Sequence, residues 1–259
     1  MQIEVILSPA EFPSVAAREL NATTCVVFDV LRATSSMLTA LHNGAEAIIP
    51  VTEIAEALAI KQQRPDVLLA GERDGLRIRA DLTGGINFDF GNSPRDFTPQ
   101  NVKGRTIAWT TTNGTRALRS CAQAEMILLG AFVNLGAVAR VLDTLRPRNL
   151  LLICGGTREQ VAYEDALAAG ALIESLSPLI TKAEHLSDAA RLVWNAWRAI
   201  NGDTEEIAAT ALNAQRLQKK AELAEDVGIC LRRDTIPQNA AMMDDGSVRL
   251  FQGVSPLLA

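Results

Sequence analysis

The residues best suited to chemistry follow directly on apolar runs. Asp29 ends the run TTCVVFD, and a carboxylate there is costly to bury unless it meets a cation, a metal or hydrogen-bond donors. Arg32, three residues on, could pair with Asp29 or grip an anion bidentately. Glu72 and Arg73 follow the run DVLLAG, and Arg73, Arg77 and Arg79 form either a solvated loop or an anion-attracting rim. Thr110, Thr111, Thr112, Asn113, Gly114 and Thr115 follow TIAW and precede a helix-like RALRSC. Four threonines in six residues, with the free N–H groups of a helix start, suit an oxyanion. Asn113-Gly114 is read as the tight turn, since both types tolerate positive φ. The competing reading is an ordinary turn and helix cap. Glu164 and Asp165 open a helix-like segment, where the helix dipole alone favours acids and metal binding is the alternative. Cys154 precedes Gly155-Gly156, but Arg158 follows after only three residues, where a thiolate phosphatase would need five. Cys154 therefore reads as packing. His42 and His185 receive no role.

Such residues need a scaffold that gathers loop ends. Short apolar runs alternate with helix-like segments: strands at 23–30, 46–51, 66–71, 105–110, 125–130 and 149–154, helices at 33–43, 53–63, 114–122, 134–144 and 161–176. Residues 72–104 are loop-rich, and 183–227 read as helices without an intervening strand. A short strand at 247–251 is expected to close a sheet edge. This alternation predicts a three-layer α/β/α fold with a mostly parallel or mixed sheet and a helical C-terminal subregion, as one domain over 1–259. The helical subregion is expected to form an interface or a lid. In such sheets ligands collect beyond the carboxyl ends of the strands. That rule selects Asp29–Thr34, Gly71–Glu72, Thr110–Thr115 and Cys154–Gly156.

Composition narrows the classes. The net charge of −5 argues against a nucleic-acid partner. The four cysteines are widely spaced, without zinc or disulfide-framework spacing. The longest apolar stretches are too short to span a membrane, and no basic-then-hydrophobic leader precedes Ile3–Leu7, so a cytoplasmic protein is expected. A homo-oligomer is the default expectation.

The haloacid-dehalogenase phosphatases also end a hydrophobic strand on Asp, but Leu31 stands where they place a second one. A fuller match comes from VVFDVLRATSSMLTAL, AGER, FDFGNSP, TTNGTRAL, GAFVN and CGGT with YEDALAAGA, in that order, with a weaker echo in EDVGICLRRDTIPQ. The ordered set resembles the 2-phosphosulfolactate phosphatase family, most strongly over residues 20–175. That resemblance implies Mg²⁺-dependent hydrolysis of 2-phospho-3-sulfolactate to 3-sulfolactate and phosphate, a step of coenzyme M biosynthesis. Residues 72–91 form a longer stretch than the family leads one to expect. Asp29, Glu72 and Arg32 are then the expected catalytic residues. Asp29, Glu164 and Asp165 are the expected metal ligands. Arg73, Asn92, Ser93, Thr111, Thr112, Asn113, Gly114 and Thr115 are expected to bind a small anionic phosphorylated substrate. The alternatives are another acidic phosphoester, or a non-catalytic phosphometabolite binder, for which clustered acids would be a liability.

Overall fold

The computed structural model describes residues 1–251, the side chain of Ala183 excepted, so the last eight residues of the expected domain lie outside the described residues. In chain order the first half comprises β1 (Gln2–Ile6), α1 (Phe12–Ala16), β2 (Thr23–Phe28), α2 (Ala33–His42), β3 (Ala47–Pro50), α3 (Ile54–Gln63), β4 (Leu68–Arg73), β5 (Leu76–Arg77), α4 (Ala80–Thr83), α5 (Pro99–Val102), β6 (Thr106–Thr110) and α6 (Gly114–Ser120). The second half comprises β7 (Met126–Gly130), α7 (Leu135–Leu145), β8 (Asn149–Cys154), α8 (Tyr163–Ser175), α9 (Asp188–Ala199), α10 (Thr204–Thr210), α11 (Leu212–Gln218), α12 (Ala224–Cys230), β9 (Asn239–Met242) and β10 (Val248–Phe251).

The β2 run is apolar throughout because both of its faces are covered. Val26 and Phe28 pack into a core with α7, α8 and α9. Cys25 and Val27 point the other way, into a core with Phe12 of α1, Met37 and Leu38 of α2 and Leu118 of α6. Leu150 and Leu152 of β8 alternate with Leu151 and Ile153 between the same two cores. A third, smaller core sets Ala57 of α3 against Leu69 and Ala108. These are the three layers.

The ten strands order as β1-β8-β2-β7-β9-β10-β3-β6-β4-β5. β1, β8, β2 and β7 run parallel, as do β3, β6 and β4. The expected edge strand at 247–251 is instead interior. β10 pairs with β9 and β3, and the β9–β10 hairpin joins the two parallel sets. Its short strands carry a pairing pattern that composition does not reveal.

This hairpin reverses direction three times between β7 and β3, so in a flat sheet the carboxyl ends of the two sets would lie at opposite edges. Strand twist, about 20–25° per neighbour, accumulates over the steps from β2 to β6. The loop after β2 and the loop after β6 do meet. A Cβ built on Gly114 would stand 2.6 Å from Asp29 Oδ2.

Candidate functional site

That meeting point opens into a cavity of about 630 Å³. Its lining carries carboxylates, Asp29 after β2, Glu72 near the end of β4 and Asp74 just beyond it. Its lining also carries cations: Arg32 after β2, Arg158 from the loop after β8, and Arg216, Lys219 and Lys220 from α11 and just beyond it. The helical subregion thus supplies one wall of the site.

Asp29 is held from several sides. Its Oδ1 accepts the Ala33 N–H at 3.0 Å, so it does serve the start of α2. Thr34 Oγ1 accepts the Asp29 N–H at 3.1 Å and donates to Gly130 O at 2.8 Å, fixing the strand end. Gly114 and Gly155 press on the carboxylate, and a Cβ on Gly155 would lie 2.9 Å from Asp29 Cβ. Burial, with the charges of Glu72 and Glu164, pushes the Asp29 pKa up to about 7, against the opposing pull of the Ala33 N–H and Arg32.

The expected positive φ at Asn113-Gly114 is not what the loop uses. Asn113 has φ −127, and Gly114 is absent from the positive-φ positions. Glycine is required at 114 because Asp29 Oδ2 and the Ala33 methyl both come within 2.6 Å of where its Cβ would stand. Gly114→Ala should therefore displace Asp29 or the loop, with a fall in turnover of about 10²-fold and a lower melting temperature. Turnover and a melt on the same preparation check this. Wild-type activity would mean that the contact relaxes freely.

The threonines are mostly inward-looking. Thr111 and Thr115 cap each other: Thr115 Oγ1 donates to Thr111 O at 3.1 Å, and each hydroxyl faces the other's N–H at 3.3–3.4 Å. Thr110 Oγ1 donates to Thr52 O. Only Thr112 and Asn113 of this loop line the cavity. Thr112 N–H donates to Glu72 Oε1 at 2.8 Å, and Gly75 N–H to Glu72 Oε2 at 2.7 Å, so Glu72 clamps two loops. Asn113 Nδ2 donates to the carbonyls of Gly156 and Arg158. The hydroxyl-rich sequence thus builds the loop more than it lines the site.

Other expected ligands are placed differently. Arg73 donates to the carbonyls of Glu72 and Thr52 and to Thr110 Oγ1, away from the cavity lining. Ser93 Oγ donates to Asp226 Oδ1 at 2.7 Å and does not line the cavity. Asn92 does line it, with a buried Oδ1 that has no partner. Arg32 lines it too, yet pairs with Asp226 Oδ2 at 2.6 Å and Gly75 O at 2.7 Å, not with Asp29. Asp226 was beyond local reading. It lies 194 residues from Arg32, in the segment whose only signal was the EDVGICLRRDTIPQ echo.

Glu164 and Asp165 share the first turn of α8 but do different work. Asp165 Oδ1 accepts Val30 N–H at 2.8 Å and Oδ2 accepts Gly156 N–H at 2.9 Å, which ties the loops after β2 and β8 together. Burial, then Glu164 and Asp29, push its pKa well up. With an N–H on each oxygen, Asp165 holds these two loops in register. Glu164 is 1% exposed, and its Oε1 accepts from Asn213 Nδ2 at 3.0 Å while Oε2 has no partner. Burial raises its pKa, against Asn213 and Arg216. Cys154 is buried, and burial raises its thiol well beyond the usual range, as suits an inert packing residue.

Among the described residues no set of three His, Cys, Asp or Glu side chains stands in ligating geometry. The donors present still fit a hard cation that keeps most of its waters. Glu72 and Glu164 both bear on Asp29 electrostatically, and Glu164 holds a buried oxygen without a donor. Such acids repel unless a cation intervenes.

A family model described as 2-phosphosulpholactate phosphatase matches residues 9–239. A protein of Caldanaerobacter subterraneus subsp. tengcongensis named "Probable 2-phosphosulfolactate phosphatase" is 36% identical over 247 residues, covering 93% of this chain and 96% of that protein. Proteins of the same name from Synechococcus sp. (strain RCC307) and Thermotoga petrophila are 36% and 35% identical over 258 and 238 residues. They cover 96% and 91% of this chain, and 100% and 94% of their own lengths.

Proposed function

Because the chain belongs to the 2-phosphosulfolactate phosphatase family of phosphoric monoester hydrolases, we propose that it hydrolyses 2-phospho-3-sulfolactate to 3-sulfolactate and phosphate with Mg²⁺ at the Asp29 end of the cavity. The observation that supports this reading most is that one cavity is lined by both carboxylates and several cations. A phosphate ester carrying a carboxylate and a sulfonate needs both: cations for its charge, and a metal-holding acid cluster at the phosphorus. A mere anion-binding protein has no use for the acids.

Asp29 and the free Glu164 oxygen would hold Mg²⁺, which when bound polarises the phosphoryl oxygens and acidifies a coordinated water. Asp29 orients the attacking water, its carboxylate fixed by the Ala33 N–H on one side and Gly114 on the other. Glu72 keeps the Thr112 and Gly75 loops in register around the ester. Arg32, locked by Asp226, contributes a fixed positive charge to the cavity. No helix among the described residues is long and apolar enough to cross a membrane, which fits a small polar substrate met in the cytoplasm, on the route to coenzyme M.

The test is phosphate release across a panel of acidic phosphoesters, after EDTA treatment and after Mg²⁺ is returned. We expect 2-phosphosulfolactate to be preferred, chelation to abolish release, and Mg²⁺ to restore it. Full turnover by metal-free protein would remove the metal from the mechanism. Hydrolysis of a different ester with none of 2-phosphosulfolactate would remove the substrate.

A further inference from the structure

Glu164 sits 1% exposed in the first turn of α8, close enough to Asp29 for its charge to be felt there. A carboxylate removed from water is costly unless donors or a cation meet its oxygens. Its Oε1 accepts from Asn213 Nδ2 at 3.0 Å, while its Oε2 has no partner. Among the described residues, Asn213 is the one other side chain that donates a hydrogen bond to this carboxylate. The donor comes from 49 residues away, on α11.

Asn213 is itself held in place. The same Nδ2 donates to Thr157 Oγ1 at 2.7 Å, so both of its hydrogens are committed, to acceptors on different elements. Thr157 belongs to the turn after β8, where Thr157 and Gln160 exchange backbone hydrogen bonds at 2.9 and 3.0 Å. The seat of α11 does not depend on these two bonds. Ala214 and Leu217 are buried in the core that also holds Leu167 and Ala171 of α8. Arg216, three residues on from Asn213, acts on Glu164 by its charge. The face of α11 that carries Asn213 thus meets the metal-side acid through one directed contact.

The kind of donor matters. An ammonium or guanidinium bonded to Glu164 would offset its charge and compete with a metal cation. A neutral amide orients the carboxylate and leaves the charge in place, as donors behind metal ligands generally do. Holding Oε1 also leaves Oε2 as the oxygen open to a cation, and a hard cation that keeps several waters needs few protein oxygens. Resting on the Mg²⁺ reading above, we propose that Asn213 is a positioning residue for the metal: it fixes the Glu164 carboxylate with Oε2 free, and so sets the affinity of the site for Mg²⁺.

The experiment titrates Mg²⁺ into the metal-free full chain by calorimetry. It uses the wild type, Glu164→Gln, Asn213→Leu, Asn213→Ala and Thr157→Val, each with a melt to show that it is folded. Losing the partner behind a metal ligand costs about 10–100-fold in metal affinity, and both Asn213 variants should weaken Mg²⁺ binding by that much. Asn213→Leu keeps the size of the side chain and Asn213→Ala adds no bulk against Glu164, so either one, once folded, reports the lost donor. Thr157→Val removes the other bond of the same amide and keeps the bond to Glu164, so its affinity should stay near the wild-type value. Unchanged affinity in a folded Asn213 variant overturns the inference. An equal loss in Thr157→Val also overturns it, since Asn213 would then only staple α11 to the turn. Glu164→Gln separates the inference from the reading beneath it. If that variant loses affinity and the Asn213 variants keep it, the inference alone falls. If Glu164→Gln binds Mg²⁺ as the wild type does, or the wild type binds none, Glu164 is no ligand and the metal reading falls with the inference.

Discussion

Asp29→Asn should fold as the wild type does and lose turnover by about 10³-fold or more at saturating Mg²⁺. The amide keeps an oxygen for the Ala33 N–H, so the start of α2 remains capped. What disappears is the charge needed to hold a cation and orient water. The same substitution also has a signature in stability. The folded-state pKa of Asp29 is raised from 3.8 to about 7, so its stabilising form is the protonated one. That contribution is present below the unfolded pKa and is lost as pH rises through 7. Metal-free wild type should therefore melt lower at pH 8 than at pH 5, and Asp29→Asn should flatten that slope. Near-wild-type kcat in a folded Asp29→Asn protein would take the centre out of the mechanism.

The largest loss of stability is expected far from Asp29 in sequence. Asp226 is 0% exposed and gathers Arg32 Nη1 at 2.6 Å, Ser93 Oγ at 2.7 Å and Arg95 Nε at 2.8 Å. Asp226→Ala leaves the Arg32 guanidinium, 3% exposed, without its counter-charge. Removing one partner of a buried pair costs about 3–5 kcal/mol, since the remaining charge is stranded. The neighbouring Arg95–Glu225 pair is exposed, so Glu225→Ala serves as the control and should cost under about 1 kcal/mol. Denaturant unfolding of the two variants measures the contrast. An Asp226→Ala protein as stable as Glu225→Ala would show that Arg32 finds compensation elsewhere. Because Arg32 lines the cavity, Asp226→Ala should also weaken substrate binding in whatever fraction remains folded.

What the sequence revealed follows from what is local. Apolar alternation located β2, β4, β6, β7 and β8 within a few residues, since each is buried on both faces and carries an unbroken apolar run. Asp29 and Glu72 were readable because a carboxylate at the end of such a run stands out. The role of Gly114 was not, because nothing in the sequence near 114 tells that Asp29 presses on it. Thr111 and Thr115 looked like phosphate ligands, but i,i+4 hydroxyls also satisfy each other, and that geometry won. Ser93 and Arg73 were drawn to Asp226 and to backbone carbonyls by partners distant in sequence. Arg158 and Lys219 lay in segments whose local pattern is only turn and helix, and chain topology alone brings them to the lining of one cavity.

The position of the β9–β10 hairpin bears on how this chain is made. Synthesis runs from the N-terminus at about 5–20 residues per second, and domains tend to fold as they emerge. Here both parallel sets are complete by residue 154, but β7 and β3 can be joined only through residues 239–251. Until that hairpin has been translated and released, the nascent chain holds two half-sheets, each with an unpaired strand edge of the kind that invites association with other chains.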